Sequence, residues 1–134
     1  GNDILVQINK VLGSSYNDTF IITSVADLQN YTIDGGAGTD TLKKSGAGQT
    51  FNLTGSDFNI SNIERFDFAD RAVDNININF NDLFTGHGAT SSISLNTDSF
   101  DVVQFSGVGW NQVANDADST TWSNGSQTFN HTWA

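Results

Sequence analysis

The residues best suited to chemistry lie in one short run, Gly35-Gly36-Ala37-Gly38-Thr39-Asp40-Thr41-Leu42-Lys43. Three glycines ahead of an aspartate make a turn whose backbone can adopt φ > 0, which lets carbonyl oxygens crowd around one point. Asp40 adds a carboxylate at the end of that turn, and Leu42 then enters a short strand pointing inward. Carbonyls plus carboxylate form the oxygen-rich, adaptable donor set that Ca2+ takes, about six to eight oxygens in flexible geometry. The simpler alternative is a glycine-rich β-turn with Asp40 solvated.

One such turn supplies half a site, so a second half is required. Gly13-Ser14-Ser15-Tyr16-Asn17-Asp18-Thr19-Phe20-Ile21 keeps the first glycine, the aspartate and the inward apolar position, without the second and third glycines. Gly1-Asn2-Asp3-Ile4-Leu5 matches the tail of another copy. The expected Ca2+ donors are Gly13, Ser15 and Asp18 from one turn and Gly36, Gly38 and Asp40 from the other, with Asp34 as a further carboxylate. Asp18 and Asp40 stand 22 positions apart. If two nine-residue motifs of this kind make one coil of about 18 residues, roughly four extra residues must bulge out around Val25–Asn30.

The elements that must position these turns read as strands. Helical periodicity is nearly absent, and short apolar/polar alternations recur between Gly, Asn, Asp and Ser. Strands are expected at residues 4–8, 19–23, 31–33, 50–53, 64–68, 76–80, 92–95, 102–105 and 127–133. The cleanest is residues 75–81, where Ile76, Ile78 and Phe80 face one side and Asn the other. Only residues 24–30 and 80–85 suit a helical turn or two, with Ser24 or Asn79 as caps. Residues 43–48 and 86–92 read as surface loops, and no linker interrupts the chain. The expectation is an all-β protein.

Composition narrows the class. The chain has 134 residues, a formal net charge of −10, 13 Gly and neither Cys, Met nor Pro. Lack of cysteine excludes disulfides, thiol nucleophiles and thiolate-ligated metals. Five basic residues against fifteen acidic ones argue against nucleic acid and anionic membranes as partners. The apolar runs are too short to span a bilayer as a helix, and no signal peptide is recognised. Of the acidic residues all but Glu64 are Asp, which favours turns and hard cations over helices.

Other constellations carry less. His87 and His131 have no G-x-S-x-G elbow to supply a nucleophile, so both read as surface or loop histidines. Asp67 with Asp70, or Asp98 with Asp101, could pair for glycosidase chemistry, yet such pairs serve equally as Ca2+ ligands or turn caps. No catalytic residue is expected. Trp110, Trp122 and Trp133 could form a stacking platform for a glycan or peptide, against the commoner role of large aromatics in the core.

The ordered motifs resemble a family. Residues 13–42 look like the opening of RTX-type modules of very large, type I-secreted bacterial adhesins and related surface proteins. Ile60-Ser61-Asn62-Ile63-Glu64-Arg65-Phe66-Asp67-Phe68 is similar to the family's I-x-N-I-E-x-I-D-L strand pair. Residues 98–105, followed by Gly109-Trp110, resemble D-x-x-G-D-x-V-x-L…G-W, with Phe100 in the place of the glycine. Residues 125–133 are similar to the closing G-x-x-Y-N-V-Y, here ending His131-Thr132-Trp133. The resemblance implies one module: a short β-roll-like, calcium-binding start at residues 1–48 continuing into a β-solenoid of stacked strands at residues 49–134. It also implies export to the extracellular cell surface, Ca2+ as the bound ion, neighbouring modules of a longer chain as partners, and a monomeric fragment. The alternatives are a glycan- or peptide-recognition domain, or an accessory module of a secreted polysaccharide-active enzyme.

Overall fold

Asp, Asn, Gly and Ser punctuate the chain so often that each strand is short, and the strands find their partners in distant parts of the sequence. The computed structural model describes residues 9–54, 59–86 and 91–134. The expected strand at residues 4–8, the partial motif at residues 1–5 and His87 lie outside the described residues.

The chain runs β1 (Lys10–Leu12), β2 (Thr19–Ile22), α1 (Val25–Asn30), β3 (Thr32–Asp34), β4 (Thr41–Lys44) and β5 (Thr50–Leu53). It continues through β6 (Ile60–Ser61), β7 (Arg65–Asp67), β8 (Asn75–Asn79), α2 (Phe80–Gly86), β9 (Ser92–Thr97) and β10 (Val102–Ser106). Three last strands follow, β11 (Asn111–Asn115), β12 (Ser119–Ser123) and β13 (Thr128–Trp133). The protein is mostly β, as expected. Both helices fall where capping residues place them. The Ser24 hydroxyl accepts from the Ala26 N–H at 3.1 Å, Asp27 accepts from the Ser24 N–H at 3.1 Å, and the Asn79 side chain accepts from the Asp82 N–H at 3.2 Å.

Three sheets share the strands. β1, β3 and β6 form one, β5, β8 and β10 a second, and β2, β4, β7, β9 and β13 run side by side in the third. Every pairing just named is parallel: Thr19 lies opposite Thr41, Thr41 opposite Arg65, Arg65 opposite Ser94, and Ser92 opposite Thr128. The 22-residue offset between β2 and β4 equals the Asp18 to Asp40 spacing, and α1 accommodates the surplus residues. At one end β11 and β12 pair antiparallel with each other and onto β13. The seven-strand sheet thus runs through both parts of the chain divided above at residue 48.

Parallel register stacks like side chains inward. Phe20, Leu42, Phe66, Leu95 and His131 occupy one column of the large sheet. Phe51 with Ile76, and Leu53 with Ile78, form columns in the second sheet, all four buried. An aromatic cluster fills the end closed by β11 to β13: Phe80 stands 4.9 Å from Trp110, 5.1 Å from Phe129 and 5.5 Å from Trp122. Trp110 is buried and Trp122 partly so, which makes both rings core rather than an open platform.

Three further placements differ from expectation. Residues 43 and 44 belong to β4 rather than a surface loop, and Lys44 is fully buried because it follows Leu42 by two and so faces inward opposite Ile22. His131 is buried rather than on the surface, since it continues the inward column below Leu95. β1, β11 and β12 fall outside the expected strands; β1 and β11 are exposed along their whole length, so no alternation announces them.

Candidate metal centre

The two glycine–aspartate turns stack directly on one another. The Gly13 N–H donates to the Asp34 carbonyl at 2.7 Å, Ala37 N–H to the Ser14 carbonyl at 3.2 Å, and Thr41 N–H to the Asp18 carbonyl at 2.9 Å. The Asn17 side chain accepts from the Thr39 N–H at 2.8 Å, so side chains bind the turns together as well as backbone. Gly36 and Gly38 adopt φ of 90° and 132°, in the left-handed region that favours glycine. A Cβ at Gly36 would also collide with the Ser14 carbonyl, and one at Gly13 with the Gly35 carbonyl. The spacing of the turns requires glycine at these points.

The carboxylates close the turns. Asp18 Oδ2 accepts from the Ser14 N–H at 2.6 Å and from the Ser14 hydroxyl at 2.8 Å. Asp40 Oδ1 accepts from the Asp18 N–H at 2.7 Å. The Asp40 N–H in turn donates to Glu64 Oε2 at 2.8 Å, which continues the column into the next circuit. Asp34 accepts from the Asn62 side-chain amide at 2.7 Å and the Gly36 N–H at 3.1 Å. The Asn62 bond holds the Asp34 carboxyl below its ordinary pKa. Asp40 itself is fully buried, and its Oδ2 has no hydrogen-bond donor. A buried carboxylate oxygen without a partner costs roughly 1–3 kcal/mol or more, and a hard cation is one way to satisfy it.

The fit to Ca2+ rests on that oxygen and on donor type. All the candidate donors are oxygens, from Asp18, Asp40, the Ser15 hydroxyl and the backbone of Gly13, Gly36 and Gly38. No group of three His, Cys, Asp or Glu side chains converges among the described residues. A cation at these turns therefore draws chiefly on carbonyls, as the glycine content allows. Ser15 is exposed at the tip of its turn.

A second corner repeats the construction, with glycine in only one of its circuits: Gly46 adopts φ of 134°, and a Cβ at Gly48 would collide with the Val73 carbonyl. The Val25 N–H donates to Gln49 Oε1 at 2.7 Å, the Gln49 N–H to Asp74 Oδ1 at 2.8 Å, and the Asp74 N–H to Asp101 Oδ1 at 3.0 Å. Behind it lies a charge cluster that sequence reading missed. Lys44 Nζ stands 2.9 Å from Asp70 Oδ2 and 2.9 Å from Asp74 Oδ2, and donates to the Gly46 carbonyl at 3.1 Å. Burial depresses the Lys44 pKa, and the two carboxylates more than reverse this, for a net rise. Burial pushes the Asp101 carboxyl up, with Asp98 and Asp74 adding repulsion, although two backbone N–H groups oppose the rise. Asp98 and Asp101, read as a possible second calcium turn, are occupied by backbone donors: Phe100 N–H reaches Asp98, and Asp98 N–H reaches Asp101, both at 3.0 Å. Trp133 borders an open cleft. Comparison with protein families, curated proteins and solved structures found no match.

Proposed function

We propose that this chain is a calcium-stabilised, non-catalytic module of an extracellular, RTX-type bacterial adhesin or surface protein. In this reading its parallel circuits form a short β-roll-like start that continues into a β-solenoid. The observation that carries it is Asp40, whose buried Oδ2 lacks a donor where two glycine turns are stacked. Ca2+ supplies the missing positive partner there. Asp18 and Asp40 hold the ion with carbonyls of the two turns, while Asp34 adds negative potential nearby. A site assembled only in the folded chain makes binding free energy folding free energy. Affinities of extracellular calcium modules, roughly 10⁻⁴–10⁻³ M, leave such a chain less stable where calcium is scarce and stabilise it outside the cell.

Thermal melts in EDTA and in calcium raised to tens of millimolar test the reading. Calcium at about 100 times Kd adds about 2.7 kcal/mol, which corresponds to a melting-temperature rise of roughly 10 °C for a domain of this size. Identical melts in the two conditions remove the proposal.

A further inference from the structure

We propose that the cleft between the turn after β9 and strands β12 and β13 binds a neutral sugar ring. The cleft has a volume of about 470 Å³ and is bordered by Trp133, His131, Asp98, Asp101, Val103 and Thr120. That size suits one or two small rings. Two other clefts are built differently. One is an apolar groove along β2, and another gathers Glu64, Arg65 and serines with no aromatic ring.

The cleft's groups are held before any ligand arrives. Trp133 is half-buried, and His131 packs 5.0 Å from it at 42°, which fixes the indole plane. His131 is itself anchored: its Nε2 shares a 2.9 Å hydrogen bond with the Thr97 hydroxyl, and its ring meets Phe105 edge-on at 5.3 Å. A positioned indole face offers the C–H-rich face of a pyranose an apolar stacking surface with a polar rim. Thr120 donates its hydroxyl proton to Asn115 at 2.9 Å, so its oxygen remains as an acceptor.

The carboxylates are set to accept from sugar hydroxyls. Asp98 accepts from the Arg71 and Phe100 N–H groups, and Asp101 from those of Asp74 and Asp98. Four backbone donors compensate much of the charge and lock the oxygens as oriented acceptors, which suits neighbouring ring hydroxyls. Two carboxylates in a chain of net charge −10 disfavour carboxylated or sulfated sugars. The site is separate from the proposed calcium turns. Those turns precede β2 and β4, whereas the Asp98–Asp101 turn follows β9 of the same parallel run, at the opposite ends of the strands.

The test is NMR titration of the ¹⁵N-labelled chain, in millimolar calcium, with the methyl glycosides of glucose, galactose and mannose and separately with Nα-acetyl-lysine methylamide. The expected result is a saturable shift of the Trp133 indole N–H and the Thr120 amide with at least one glycoside, with Kd on the order of 1 mM. Trp133→Ala should weaken that binding at least about tenfold, and Trp133→Phe should retain part of it. The spectrum of each variant shows directly whether the fold is kept. No shift with any glycoside up to about 50 mM overturns the proposal. Shifts confined to the lysine analogue overturn it in favour of a basic peptide.

Discussion

A lysine with no exposed surface is among the residues whose removal should cost this fold most. Lys44 neutralises Asp70 and Asp74, and Lys44→Ala would leave two inward carboxylates unpaired. Breaking one partner of a buried ion cluster costs about 3–5 kcal/mol, so urea denaturation of Lys44→Ala should show a loss of that order. A loss below about 1 kcal/mol would mean that the carboxylates relax into water. The pH dependence follows from the shifts. The Lys44 pKa is raised on folding, so its contribution is complete below its unfolded value and fades as pH rises through the folded one. Burial pushes the Asp70 carboxyl up, but Lys44 and backbone hydrogen bonds outweigh it and lower the pKa; its contribution holds above the ordinary value of 3.8 and fades as pH falls through the folded value. His131 behaves differently. Burial lowers its pKa from 6.5 to about 4, so stability should fall as pH drops from 6.5 toward 4. The loss is at most about 3 kcal/mol. The raised Asp101 pKa acts in the opposite sense, adding stability as pH falls through it. Comparing pH melts of the wild type with His131→Leu, which cannot protonate, isolates the histidine: the variant should show a shallower loss between pH 6.5 and 4.

Turns, rather than strands, carry the repeat at the scale of elements. At two corners a side-chain oxygen accepts the backbone N–H of the circuit before it: Asp40 and Glu64 at one, Gln49, Asp74 and Asp101 at the other. The first corner was legible in the sequence because glycine, aspartate and the inward apolar residue sit at fixed local offsets. The second was not, because Gln49, Asp74 and Asp101 share no surrounding motif and only the strand register aligns them. Residues 50–53 alternate apolar and polar and match the bounds of β5, while residues 43–48 look like a loop although 43 and 44 belong to β4. Two consecutive lysines look solvated until Asp70 and Asp74 arrive from the next circuit. Two substitutions at Asp40 separate its structural role from its proposed ionic one. Asp40→Ala removes the acceptor of the Asp18 N–H and should cost about 1–3 kcal/mol in EDTA, and in calcium the lost ion stabilisation as well. Asp40→Asn keeps an acceptor and should melt near the wild type in EDTA, yet lose most of the calcium-induced rise. An undiminished rise in Asp40→Asn would place the ion elsewhere.

Charge acts on the molecule as a whole, and it competes with any site-based account of calcium. A net charge of −10 on 134 residues repels itself, so any added salt should stabilise the fold somewhat by screening. Local patterns identified the mostly β fold and the stacked turns, whereas the closing β11–β12–β13 array and the inward lysine depend on contacts between distant residues. Those distant contacts also distribute the charge unevenly. Lys44 offsets one cluster inside, and Lys43 meets Asp67 at 3.6 Å outside, while among the described residues no Lys or Arg ion pair reaches Asp18, Asp34 or Asp40. Screening and site binding then differ in dose. Screening depends on ionic strength, with a Debye length of about 10 Å at 0.1 M, and is indifferent to the identity of the cation. Site binding saturates near Kd and selects for a cation that accepts six to eight oxygens at relaxed distances, which Mg2+ does not. Melts at matched ionic strength in sodium, magnesium and calcium chloride should therefore rank calcium well above the other two, by roughly 10 °C once the site is saturated. The sodium response should be similar in the wild type and Asp40→Asn, because one charge in ten barely changes the mean field. Equal responses to the three salts would assign the stabilisation to screening and leave Asp40 without a metal.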